Sequence, residues 1–179
     1  PKIDWRKFIR ATTVDLFSRK DYMWNRGNRL FTHMDLYLPS LLGEANTTLA
    51  IAVDTSASIT KDILTDFTTE MKGIVELADK TVVFACDAKV HHTAELTTFS
   101  DILKETSLVG GGGTSFVPVF EKIEEMKIAP DVLIYLTDGY GRFPDYAPPY
   151  PVIFAALPNT LPVKSYPFGQ VVILENNIC

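Results

Sequence analysis

This chain of 179 residues is poor in the residues that carry covalent or redox chemistry, with two cysteines and three histidines. Two cysteines do not make a disulfide framework. Cys86 closes an apolar run, where a free thiol packs as a small hydrophobe, and Cys179 is the last residue. The expectation is a reduced, cytoplasmic protein. His33 stands alone, and His91 and His92 are consecutive. On a strand consecutive side chains face opposite ways, so these two cannot share an ion with Glu95. No His-Glu-x-x-His occurs, which excludes a zinc peptidase centre of that kind from this chain. No run nears the roughly 20 apolar residues of a membrane helix, and the N-terminus has no secretory pattern. Acidic residues outnumber basic ones by 22 to 17, a formal net charge of −5, which argues against a basic nucleic-acid surface. Ser56 lacks a Gly-x-Ser-x-Gly elbow. Four successive glycines, Gly110, Gly111, Gly112 and Gly113, lack the Lys-Ser/Thr ending of a phosphate loop. Catalysis has no support among these motifs, and the chain is not expected to be an enzyme.

What is present is a globular balance, 46% hydrophobic and 22% charged, with length for one domain and an appended piece. The start at Pro1 gives the expectation of a piece of a longer protein. Residues 1–20 place Trp5, Phe8, Ile9, Thr12, Leu16 and Phe17 on one helical face. A helix so short must dock on something. Residues 21–46 read as an irregular lead-in, so residues 1–45 are assigned to the tail of an upstream domain and 46–179 to the main one.

From there strands and helices alternate. Expected strands cover residues 48–53, 81–85, 89–96, 131–137, 152–157 and 170–174. Expected helices cover about 60–79, 100–106 and 116–127, with Pro118 tolerated in a first turn. The tight turn at Asp87 and Ala88 implies an antiparallel hairpin. The pattern is α/β, a mostly parallel central sheet with one antiparallel edge strand and helices on both faces.

In such sheets ligands bind outside the carboxyl ends of the strands. Three pieces converge there: Asp54, Ser56 and Ser58 after the first buried strand, Thr114 after the glycines, and Asp138 after Val132-Leu133-Ile134-Tyr135-Leu136. Their side chains offer oxygen alone, the donor set of a hard divalent cation. Separately, Asp54 or Ser58 would serve as a helix cap and Asp138-Gly139 as a plain turn. The joint occurrence at strand ends favours a metal site.

The ordered set Asp54-x-Ser56-x-Ser58, Thr114 and Asp138-Gly139 resembles the metal-ion-dependent adhesion site of von Willebrand factor type A (VWA) domains, over roughly residues 46–175. The lead-in Asp21-Tyr22-Met23-Trp24-Asn25-Arg26-Gly27-Asn28-Arg29, followed by Tyr37-Leu38-Pro39-Ser40-Leu41, is similar to the bacterial VWA-like domain that follows a metallopeptidase-type domain. Gly27 stands where that family usually has proline. The resemblance implies a Rossmann-like VWA fold and a magnesium ion, with manganese or calcium as alternatives. It implies direct ligation by Ser56 and Ser58, ligation by Thr114 when a partner is bound, and Asp54 and Asp138 acting directly or through water. A partner protein would supply an aspartate or glutamate, and a MoxR-type AAA+ ATPase is the partner known beside such domains. Two alternatives stay open: a module that positions substrate for an upstream peptidase, and a structural VWA fold without a working metal site.

The aromatic and proline-rich stretch after Asp138 supplies candidate partner contacts: Tyr140, Arg142, Phe143 and Tyr146, since Tyr and Arg are common interface anchors. The competing reading has these aromatics cover the sheet edge.

Overall fold

The computed structural model describes residues 5–18, 22–27, 39–41, 46–54, 59–86, 90–96 and 115–174. In chain order the elements are α1 (Trp5–Ser18), β1 (Tyr22–Gly27), β2 (Pro39–Leu41), β3 (Thr48–Asp54), α2 (Lys61–Val75), β4 (Lys80–Cys86), β5 (Val90–Leu96), α3 (Val117–Glu125), β6 (Val132–Thr137), β7 (Val152–Ala156) and β8 (Gln170–Ile173). The expected helix at 100–106 lies outside the described residues.

Six strands form the central sheet in the order β5-β4-β3-β6-β7-β8. Five of them, β4, β3, β6, β7 and β8, run parallel, and β5 pairs antiparallel with β4. Strands buried on both faces read as continuous apolar runs rather than alternating ones. This is how residues 49–53 and 132–136 look in the sequence, and those residues are buried throughout.

The pleat sorts each strand between two cores. Leu49, Ile51, Val53, Ile134, Leu136 and Ile153 face the first, which α1 and α2 cover with Ile9, Phe17, Phe67, Met71 and Ile74. The short N-terminal helix thus docks on the sheet itself, beside α2, and an ion pair of 2.8 Å joins Arg6 to Glu70 between them. Ala50, Ala52, Phe84, Cys86, Leu133, Tyr135 and Phe154 face the second core, which α3 closes with Phe116, Val119, Phe120 and Ile123.

The lead-in is not wholly irregular. Residues Tyr22–Gly27 and Pro39–Leu41 form a two-stranded antiparallel ladder, with its register shifted between Met23 and Gly27. Sequence periodicity missed it because one partner has three residues, too few to show alternation. Helix α2 ends at Val75, short of the expected residue 79, and is capped at Thr60, whose hydroxyl accepts from the Ile63 amide at 3.4 Å. The cap is therefore neither Asp54 nor Ser58.

The second core is aromatic. Phe154 on β7 lies against the rings of Phe116, Tyr135, Phe143, Tyr166 and Phe168, with centroids 5.1 to 6.5 Å apart. No α-helix links β6 to β7 or β7 to β8, so side chains of these two connections, Phe143, Tyr150, Leu161, Tyr166 and Phe168, pack on the sheet beside α3. Replacing Phe154 with alanine should cost about 3–5 kcal/mol, read from the urea midpoint. A loss below about 1 kcal/mol would contradict the hub role.

Candidate functional site

The sheet order contains one switch point. From β3 the chain crosses to β4 on one side, and it later returns to place β6 on the other. The carboxyl ends of β3 and β6 flank this point, where open α/β sheets leave a crevice for ligands. Asp54 is the last residue of β3 and Asp138 directly follows β6. The two sequence-predicted carboxylates therefore stand at the ends of neighbouring strands. Ser56, Ser58 and Thr114 lie outside the described residues. Ser115, the residue after Thr114, forms a bridge with Arg142 in the loop that follows Asp138, and the Phe116 amide donates to the Arg142 carbonyl at 2.9 Å. The entry to α3 is thus fastened to the Asp138 loop.

Register and pleat decide what meets Asp54. Val53 pairs with Leu136, so Asp54 lies opposite Thr137. Both belong to the set of alternate residues that face the α3 side. Asp54 is fully buried, and its Oδ2 accepts from the Thr137 hydroxyl at 3.3 Å. On its other side Asp54 pairs with Cys86 of β4. The Cys86 sulfur lies 2.9 Å from the Tyr135 hydroxyl and 3.5 Å from the Val53 carbonyl oxygen. Burial pushes the Tyr135 phenol well above its ordinary value of 10.0, and Cys86 and then Asp54 add to the rise.

The Asp138 turn is set by backbone donors. The Gly139 amide donates to Thr137 Oγ1 at 2.9 Å, and the Tyr140 amide donates to Asp138 Oδ1 at 3.0 Å. Gly139 has a φ of 80°, a region that L side chains rarely occupy. A Cβ there would also run into the Tyr166 hydroxyl and lie 2.6 Å from Thr160 Oγ1. Those two hydroxyls hydrogen-bond to each other. The Tyr166 phenol is raised by burial, against which the Thr160 bond lowers it, and Asp138 raises it further.

Of the four candidate partner contacts, Tyr140 is 54% and Tyr146 48% exposed. The Tyr146 hydroxyl donates to Glu124 Oε1 at 2.9 Å, tying the loop to α3. Arg142 makes a surface pair of 3.9 Å with Asp145, of a kind that adds little stability. Phe143 turns inward, 4.6 Å from Phe116 and 5.3 Å from Tyr166 between ring centroids. For this residue the covering role describes the structure, and Tyr140, Arg142 and Tyr146 are the ones on the surface.

The donor chemistry fits a hard cation. Two carboxylates and neutral hydroxyls offer oxygen alone, as magnesium, manganese or calcium requires. Among the described residues no group of three or more His, Cys, Asp or Glu could hold a metal by itself. A cation would therefore draw on Ser56, Ser58 and Thr114 as well as Asp54 and Asp138. Sequence reasoning passed over Thr137. Its one signal was a hydroxyl residue closing an apolar strand.

Two outcomes follow from this geometry. Gly139→Ala should destabilise the protein by about 1–3 kcal/mol or more, read by urea denaturation; wild-type stability would contradict the close approach of Tyr166 and Thr160. Because the folded Tyr135 phenol is raised, the stability it contributes is full below the unfolded value near 10 and is lost as pH rises beyond it. Tyr150 and Tyr166 shift the same way. Tyr135→Phe should therefore flatten, without abolishing, the fall in stability as pH rises above about 10. An unchanged slope in denaturation curves across that range would contradict the assignment.

A curated relative, an uncharacterized protein of Thermotoga maritima, is 27% identical over 146 residues, which is 80% of this chain and 35% of that protein. The chain thus spans about a third of its relative's length. The crystal structure of the ArnB paralog VWA2 from Sulfolobus acidocaldarius superposes with a TM-score of 0.46 at 13% identity, covering 65% of this chain and 36% of that one. The family model of the VWA-like domain (DUF2201) matches residues 49–175, most of the chain and all of the central sheet but Thr48, and the chain belongs to that family of VWA-like domains.

Proposed function

We propose that this chain is a divalent-cation-dependent protein-interaction module. Asp54, Ser56, Ser58, Thr114 and Asp138 would hold a magnesium ion, with manganese or calcium as alternatives, and an aspartate or glutamate of a partner protein would complete its shell. The observation that carries this reading is the placement of Asp54 and Asp138 on either side of the switch point, at the ends of neighbouring parallel strands.

The donor chemistry supports it. Two carboxylates at neighbouring strand ends are a favourable pair of ligands for a cation that offsets their like charge. Two negative charges only just neutralise a divalent ion, so the ion keeps affinity for one further anionic oxygen. When bound, the cation would supply Lewis acidity toward that carboxylate. The protein's own part is to orient its oxygens and to present Tyr140, Arg142 and Tyr146 beside them. Binding is the reading here, and catalysis is not part of it. The partner class fits a cytoplasmic assembly factor such as a MoxR-type AAA+ ATPase.

A second reading draws on length. The Thermotoga relative is much longer than the part this chain matches, which leaves room in a longer protein for a metallopeptidase-type domain whose substrate this module would position. No helix of the described residues is long and apolar enough to cross a membrane.

Titration calorimetry of the protein with magnesium and manganese, beside Asp54→Ala, tests the site. Heat from the wild type should vanish in the variant while its far-ultraviolet circular dichroism stays unchanged. Equal affinity in both proteins would refute the assignment.

A further inference from the structure

We infer that Thr137 is a positioning residue that locks the two carboxylate-bearing strand ends into one arrangement, so that its hydroxyl, itself no ligand, sets the cation affinity of the site. The inference rests on the proposed metal site and adds a residue to it that the ligand pattern does not contain.

Thr137 is fully buried. Its hydroxyl oxygen accepts from the Gly139 amide at 2.9 Å and lies 3.3 Å from Asp54 Oδ2. A backbone N–H can only donate, so one lone pair of the hydroxyl is committed to Gly139. The hydroxyl has a single proton, and the acceptor within its reach is Asp54 Oδ2. The chain of bonds therefore has one direction, from the Gly139 amide through the Thr137 hydroxyl to the Asp54 carboxylate. That direction suits a carboxylate that accepts at Oδ2. It also makes the position of Asp54, at the end of β3, depend on the turn that carries Asp138 after β6.

The turn end of this chain is held firmly. Gly139 packs against the Tyr166 and Thr160 hydroxyls, and the Tyr140 amide holds Asp138 Oδ1. Thr137 passes that fixed geometry across to β3. Groups that orient metal ligands commonly change affinity by roughly ten- to a hundredfold when removed.

The test compares Thr137→Val, which keeps the shape and removes the hydroxyl, with wild type in manganese binding followed by electron paramagnetic resonance. The Thr137→Ser and Thr137→Ala pair, which differ in the hydroxyl alone, keeps the question open to refutation if the valine variant does not fold. Affinity should drop at least about tenfold in the valine and alanine variants and return to within about twofold of wild type in the serine variant. Exchange of the Gly139 amide should quicken in the same two variants and stay slow with serine. Wild-type affinity in valine or alanine, while Asp54→Ala abolishes binding, would overturn the role of Thr137 and leave the metal site standing. Equal losses in serine and alanine would overturn it as well, by tracing the effect to packing. No manganese binding by the wild type would overturn the metal site and, with it, this role.

Discussion

Two parallel strands at the middle of the sheet lead to carboxylates, β3 ending in Asp54 and β6 followed at once by Asp138, and the rest of the site answers to that constraint. Charges of one sign on neighbouring strand ends repel, and Asp54 is buried besides. Burying a carboxylate without compensation is costly. The compensation visible in the fold is directional: a hydroxyl toward Asp54 and backbone amides toward the Thr137 and Asp138 oxygens. The proposed divalent cation would complete such an arrangement, and a partner's carboxylate would in turn complete the shell of the cation.

The packing explains why these strand ends stay in register. Apolar residues of β3 and β6 are buried on both faces, so a slip of one residue would carry every side chain to the other core. On the first side α1 and α2 press against large aliphatic residues. On the second, α3 shares the sheet with two connections that have no α-helix, and aromatic rings fill the space. Phe143 and Tyr166 belong to that filling. The loop that carries Asp138 is therefore anchored at both ends, at the turn by Gly139 and further on by Phe143. The exposed Tyr140 sits on this anchored segment, and Tyr146 beyond it is tied to α3 through Glu124, a suitable base for recognition because little order need be gained on binding.

Much of this was legible in the sequence, and for identifiable reasons. Buried parallel strands announce themselves as unbroken apolar runs, so residues 48–53 and 131–137 were placed to within a residue or so. Helices α2 and α3 followed from their periodicity. The placement of Asp54 and Asp138 at neighbouring strand ends was readable because each follows an apolar run. Other features depend on relations that a sequence does not display. Thr137 meets Asp54 because Val53 pairs with Leu136, and register is invisible before the sheet is assembled. Phe143 has the same composition signal whether it turns in or out. Thr60 rather than Ser58 caps α2, and since both hydroxyl residues precede the helix, composition alone does not choose between them. The ladder of β1 and β2 is too short to leave a pattern at all.

The most direct test of a cation held between the ends of β3 and β6 is paramagnetic broadening of backbone amide resonances on adding manganese. The account predicts loss of signal centred on Asp54, Gly139 and Tyr140, weakening with distance along β3 and β6, and restored by excess magnesium. Broadening centred elsewhere, or none at these three amides, would contradict it.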